Sequence, residues 1–203
     1  MKFVIEQSKA NKLNPGFTLI ELMVTVGIFV FMTALLLAKY NGYYSGTIFK
    51  NQAYDVAITL RQAQSFGISV KADPGNINSP SFSAAYGVSF PGTNVTGFEL
   101  KAYSGTPTSG FTEGALEKDY KLKYGAYFDK FILTQDGSTN PSYADSVYVV
   151  FQRPNPEAII CPKINGSVTC NFYKYLELVM KSQDGKTKSI KINSSGQISI
   201  IES

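Results

Sequence analysis

The chain has 203 residues, with 19 lysines and arginines against 15 acids, a formal charge of +4, two cysteines and no histidine. That length suits one medium-sized globular domain beside a further segment. The missing imidazole excludes Ser-His-Asp and Cys-His catalysis and the histidine-containing zinc sites. Two cysteines cannot build a four-thiolate site, no Walker loop or Gly-x-Gly-x-x-Gly follows a strand pattern, and no basic run marks a nucleic-acid face. The acids are scattered, mostly beside lysines, and read as solvated surface. An enzyme is not expected, and nothing calls for a cofactor or a small-molecule substrate.

Residues 1–16 are polar and carry Lys2, Lys9 and Lys12 against the single acid Glu6. From Phe17 to Ala38, Glu21 is the only charged residue in a run of 22. A helix of that length reaches ~33 Å, enough to cross a bilayer core. A secretory signal has a shorter apolar region with its cleavage site behind it. Here the junction suited to cleavage, Gly16-Phe17, comes before the run, so cutting leaves the hydrophobic helix on the mature protein. Lys39 alone follows the span closely, so the excess of positive charge ahead of it predicts an N-terminus inside and a C-terminal domain outside. Tyr40, Tyr43 and Tyr44 suit either the membrane–water boundary or packing against a neighbouring subunit. Gly27, Gly42 and Gly46 each weaken helix and mark places for bending or local melting.

Glu21 has a local role to fill. Thr18-Leu19-Ile20-Glu21 spells a capping box, and an acid in the first turn complements the helix dipole. A charge deep in a membrane helix costs roughly 2.5–3.5 kcal/mol on insertion scales, so it also needs a partner.

Gly16-Phe17-Thr18-Leu19-Ile20-Glu21-Leu22-Met23-Val24, after a basic leader, resembles the N-terminus of type IV pilins and type II secretion pseudopilins. The resemblance implies that a membrane prepilin peptidase and methyltransferase cuts after Gly16 and methylates the new Phe17 amine. It implies that Glu21 of one subunit meets the Phe17 amine of its neighbour as a filament grows from an assembly platform in the membrane. The implied role is structural: a subunit of a type IV pilus-like filament or type II secretion pseudopilus, supporting protein secretion. Its implied partners are other pilin or pseudopilin subunits. Its implied place is a single pass of the cytoplasmic membrane, with the mature globular domain periplasmic or extracellular. A helix followed by many strands is similar to H-type minor pseudopilins and related minor pilins, and Arg61-Gln62-Ala63-Gln64 adds to that likeness. Family members often carry a proline in the span, and this chain has none. Two other readings stand beside this one: a minor pilin whose exposed β domain binds DNA, a surface or a secreted substrate, and a membrane-anchored enzyme.

From Thr47 to about Val70 the pattern is amphipathic. Phe49, Ala53, Val56, Leu60 and Ala63 form one stripe at helical spacing, with Lys50, Gln52, Asp55, Arg61 and Gln62 on other faces. Asp73-Pro74-Gly75 reads as the stop. Beyond it, Tyr86–Phe90, Phe98–Tyr103, Tyr127–Thr134 and Val147–Phe151 read as strands, and Gly105 to Gly114 as an exposed loop. Asp136, Asn140 and Asp145 offer oxygen ligands, but their spacing fits no standard calcium loop and reads as a hydrophilic turn. No metal ligand set is assigned. Three Asn-x-Ser/Thr tripeptides, at Asn94, Asn165 and Asn193, receive no function.

The last forty residues carry register information. If Asn165-Gly166 is a two-residue type I′ turn, Cys161 and Cys170 stand opposite each other at a non-hydrogen-bonded position, where side chains approach closest. A disulfide is expected there in an oxidising compartment, against the alternative of two reduced thiols. Pro162 then sits at a hydrogen-bonded position without a donor to give. Three-residue loops at Gln183-Asp184-Gly185 and Ser194-Ser195-Gly196 oppose Leu178 to Ile190, Leu176 to Ile192, Ile192 to Ile198 and Ile190 to Ile200. A two-residue Asp184-Gly185 turn would oppose Lys181 to Lys188 and is rejected. The resulting apolar face needs a cover, which the Phe49–Ala63 stripe can supply. The expected architecture is α+β: a leader at 1–16, a transmembrane and filament-core helix at 17–39, its amphipathic second half at 40–71, and a domain rich in antiparallel β-sheet at 72–203.

Overall fold

The computed structural model describes residues 16–69, 71–72, 84–138, 140–170 and 173–202, with backbone only for 39–45 and 202. The Asp73-Pro74-Gly75 stop, the leader before Gly16 and the side chains of Tyr40, Tyr43 and Tyr44 lie outside the described residues. The chain divides into two compact units, Met1–Tyr43 and Tyr44–Ser203. Helix α1 runs from Leu19 to Ile68 and takes in Gly27, Gly42 and Gly46. A single glycine costs only about 1 kcal/mol in a helix interior, which a helix of this length can carry.

The strands that follow are β1 (Ala85–Phe90), β2 (Gly97–Thr106), β3 (Gly110–Lys121), β4 (Tyr127–Thr134), β5 (Ser142–Ala144) and β6 (Ser146–Phe151). They continue with β7 (Ala158–Ile164), β8 (Ser167–Val168), β9 (Tyr175–Lys181), β10 (Thr187–Asn193) and β11 (Ile198–Glu202). They form a six-stranded sheet in the order β3-β2-β1-β6-β7-β8 and a five-stranded sheet in the order β11-β10-β9-β4-β5. Every pairing is antiparallel. The α+β, pilin-like fold expected from the sequence is the fold observed.

The helical stripe covers both sheets. Phe49, Ala53, Val56, Leu60 and Ala63 are all buried, joined by Ala57, in one core with Val88 and Phe90 of β1, Phe128 and Phe131 of β4, and the apolar residues of β9 and β10. The three alanines remove bulk where the helix backbone approaches the sheets. The C-terminal registers are those the turns dictate: Leu178 opposite Ile190, Leu176 opposite Ile192, and Ile192 opposite Ile198. Gln64 fixes the second turn to the helix, its amide donating to the carbonyls of Pro156 (2.8 Å) and Gly196 (3.1 Å). Gly196 has φ +82°, and a Cβ there would collide with the Pro156 carbonyl, so a side chain is excluded twice over. Where the chain leaves α1, Lys71 lies 3.5 Å over the Phe66 ring and pairs with Glu117 of β3.

One residue off the stripe is nevertheless buried and one expectation needs correction. Gln52 is buried, donating to the Lys123 carbonyl (3.2 Å) and accepting from the Lys123 N–H (2.7 Å). A primary amide can match one backbone unit in this way, which alanine or leucine cannot. Gly105 to Gly114 is not a loop but the end of the β2–β3 hairpin, paired out to Thr106 and Gly110. Thr106 and Ser109 close its turn through their hydroxyls, 2.8 Å apart. Small and polar strand residues gave no alternation by which to recognise it.

Replacing fully buried Leu60 by alanine should destabilise the Tyr44–Ser203 unit by about 2–5 kcal/mol. Urea unfolding of the detergent-solubilised chain should show a lower midpoint with an unchanged slope; an unchanged midpoint would remove the stripe from its place in the core.

Candidate processing and assembly site

Gly16 and Phe17 precede α1, and Thr18 caps it. The Thr18 carbonyl accepts from the Leu22 N–H (3.1 Å), and its hydroxyl oxygen accepts from the Glu21 N–H (3.3 Å). Glu21 thus stands in the first helical turn, where the unpaired backbone N–H groups favour a carboxylate. Phe17 is 84% exposed. Among the described residues nothing lies within 4 Å of a Cβ built at Gly16, so the fold makes no demand for glycine there. Leu19–Ala38 is long and apolar enough to cross a membrane, and its large side chains, Phe29 and Leu36 among them, are exposed. Thr25 and Thr33 turn their hydroxyls back onto the Leu22 and Phe29 carbonyls, leaving no hydroxyl proton unpaired on this surface.

Cys161 and Cys170 form a disulfide, with Cα atoms 4.1 Å apart. The sequence argument for it holds in detail. Asn165 (φ +50°) and Gly166 (φ +83°) occupy the turn, Ile164 opposes Ser167, and Lys163 opposes Val168. Pro162 gives no N–H, but its carbonyl accepts from Thr169 (3.3 Å), so the hairpin keeps half of that hydrogen-bonded pair. Asp145 caps the turn by accepting from the Asn165 N–H (3.1 Å). On the neighbouring strand Tyr148 stands opposite Cys161, its hydroxyl 3.8 Å from the Cys170 sulfur and its ring stacked on buried Tyr103 at 5.4 Å. Burial pushes both phenols above their ordinary pKa, and the Glu113 carboxylate adds to the shift.

The three oxygen-bearing residues considered for a cation take separate duties. Asp136 lies 3.9 Å from the Lys174 ammonium, the Asn140 N–H donates to Ser138, and Asp145 caps the hairpin. Among the described residues no three His, Cys, Asp or Glu converge. A charged cluster that the sequence reading did not single out lies on β2 and β3. Lys101 sits 2.5 Å from Glu99 and 2.7 Å from Glu113. Partial burial pulls its pKa down, but the two carboxylates outweigh this and the net shift is upward. The i, i+2 spacing of Glu99 and Lys101 on one strand face was the available signal; the third member comes from the hairpin partner.

Reducing the disulfide, or replacing both cysteines by serine, should cost about 2–3 kcal/mol for a nine-residue separation. Urea midpoints with and without reductant check this, and equal midpoints would show that the hairpin does not need its crosslink.

Among family models, the prokaryotic N-terminal methylation motif matches residues 11–37. No curated protein and no solved structure matches the chain significantly. The matched segment contains the Gly16-Phe17 junction, Glu21 and most of the apolar helix, and with that helix it marks a membrane-anchored N-terminus. Proteins with this motif are structural rather than catalytic. The motif, followed by an α+β fold, is what supports a type IV pilin or pseudopilin family for this chain.

Proposed function

We propose that the chain is a filament subunit, of a type IV pilus-like fibre or a type II secretion pseudopilus, that works by assembly rather than turnover. Prepilin peptidase hydrolyses the Gly16-Phe17 bond, leaving a carboxylate on the leader and an amine on Phe17, which is then methylated. Residues 1–16 are the leader, 17–39 the membrane and filament-core helix, 40–71 its amphipathic continuation and 72–203 the β domain. The N-terminus starts inside the cytoplasmic membrane and the β domain faces outward, in keeping with Lys2, Lys9 and Lys12 ahead of the span. Glu21 of an incoming subunit pairs with the Phe17 amine of its neighbour, and an assembly platform draws the helix from lipid into a helical bundle. Protein secretion through such a pseudopilus is the use that this reading favours.

The observation that carries the reading is an exposed Gly-Phe junction, inside the methylation motif, directly before an apolar helix with one carboxylate in its first turn. Because the fold leaves space for a side chain at Gly16, a strict need for glycine there would belong to the enzyme that reads the junction.

The N-terminal mass of the membrane-extracted protein tests this. Wild type should begin at N-methylated Phe17, and Gly16→Leu should retain Met1 while folding normally. An intact Met1 in wild type, or a cut behind the apolar run, would overturn the proposal. Glu21→Gln should still be processed, yet its share in the sheared filament fraction should fall roughly tenfold or more, as expected when one partner of a desolvated ion pair is removed.

A further inference from the structure

The face of the six-stranded sheet turned away from the helix is concave. Glu99 opposes Ser89, Ser89 opposes Tyr148 and Tyr148 opposes Cys161, one row across β2, β1, β6 and β7. Val88 and Phe90, on either side of Ser89, belong to the main core, so the row points the other way. It borders a cavity of about 320 Å³, lined by Ser89, Glu99, Lys101, Glu113, Tyr148 and Lys163. With Val168 of β8, every strand of the sheet reaches it. A flat sheet of six strands is ~24 Å across, so a cavity this small touches them all only because the sheet curls.

At the edge of this cavity lies a hydroxyl without a partner. Tyr103 opposes Ala85, yet its Cε2 comes within 3.0 Å of a Cβ built at Gly87. The side chain thus runs along β1, over Gly87, toward Ser89. Ser89 and Glu113 stand near its buried hydroxyl, which nevertheless makes no hydrogen bond. Beside it, Lys101 directs two of its three donors to Glu99 (2.5 Å) and Glu113 (2.7 Å), leaving a third. The charges of Glu99, Glu113, Lys101 and Lys163 cancel, so neither cations nor anions are selected. What the wall offers is an order: acceptor, donor, acceptor. A vicinal diol matches it, because each hydroxyl both donates and accepts. Its two protons go to the carboxylates while one of its oxygens takes the lysine donor. An amide keeps donor and acceptor on separate atoms and matches less of the row. Pro91 and Val168 add apolar surface for the C–H groups of a ring.

We infer that this cavity binds one hexose unit through a vicinal diol, which bridges Glu99 and Glu113 across Lys101, with Tyr103 donating to a ligand oxygen beside Ser89. Glu113, whose side chain is 49% exposed, has room to swing aside and open the way to the Tyr103 hydroxyl. Packing alone gives no reason for that hydroxyl, since phenylalanine would fill the same space without a buried group left unpaired. This site is independent of processing at Gly16 and of any role for Glu21.

The test uses the full chain in lipid nanodiscs and saturation-transfer NMR, with empty nanodiscs as the blank. The probes are the methyl glycosides of glucose, galactose, mannose and N-acetylglucosamine, with the free sugars in parallel to tell a glycan end from a free sugar. At least one of them should receive saturation. Its deoxy analogues should bind about tenfold more weakly when either hydroxyl of one adjacent pair is missing. Glu113→Gln should weaken binding comparably. Tyr103→Phe should weaken it too while leaving the urea midpoint unchanged or higher, a divergence that a purely structural tyrosine would not give. No saturation of any sugar, equal binding by every deoxy analogue, or binding that survives both substitutions would overturn the inference.

Discussion

The apolar inner faces of two sheets cannot remain in water, and one helical stripe meets that constraint. Phe49, Val56 and Leu60 fill the space between the sheets, while Ala53, Ala57 and Ala63 let the helix come close. Polar contacts at the rim then fix the helix in rotation and translation. Gln52 pairs with the Lys123 backbone, Arg61 reaches the Ile198 carbonyl at 3.4 Å, and Gln64 joins Pro156 to Gly196. A rotation of the helix by one residue would turn a glutamine into the core and a leucine out of it. The polar rim thus does for specificity what the stripe does for burial.

The same helix carries two compositions. Its first half is apolar on all sides, as suits surroundings without water, and its second half is apolar on one stripe, as suits a surface helix. The change of pattern falls near the boundary between the two units. The two halves thus differ in what surrounds them: residues before the boundary present an apolar surface long enough to cross a membrane, and residues after it pack on the β domain. Substitutions in the β domain leave untouched the segment that the methylation motif describes.

How much of this could be read in the sequence depends on how locally each feature is encoded. The helical stripe and the C-terminal hairpins were legible because periodicity and turn chemistry act within a few residues. The pairing of Cys161 with Cys170 followed from two turn residues and a count. The β3 strand was not legible: it lies at a sheet edge, most of its side chains are exposed, and Glu113, Glu117 and Asp119 hide any alternation. Nor was the order of the sheets, since β1 pairs with β6 across some sixty residues of chain and no local signal joins them. The burial of Gln52 had no local signal, and it makes sense only once the Lys123 backbone stands opposite. For the processing site the case is reversed. The motif was plain in the residues, while the fold by itself asks for nothing at Gly16.

The shortness of the Cys161–Cys170 hairpin has a consequence for how the domain is made. With two cysteines in the chain there is a single intramolecular pairing, so no wrong bridge within one molecule has to be undone. Chain segments of about ten residues close within roughly 10–100 ns, far sooner than distant strands find each other. The two thiols therefore meet repeatedly before β1 has met β6, and whichever forms first, the bond or the sheet, the same bridge results.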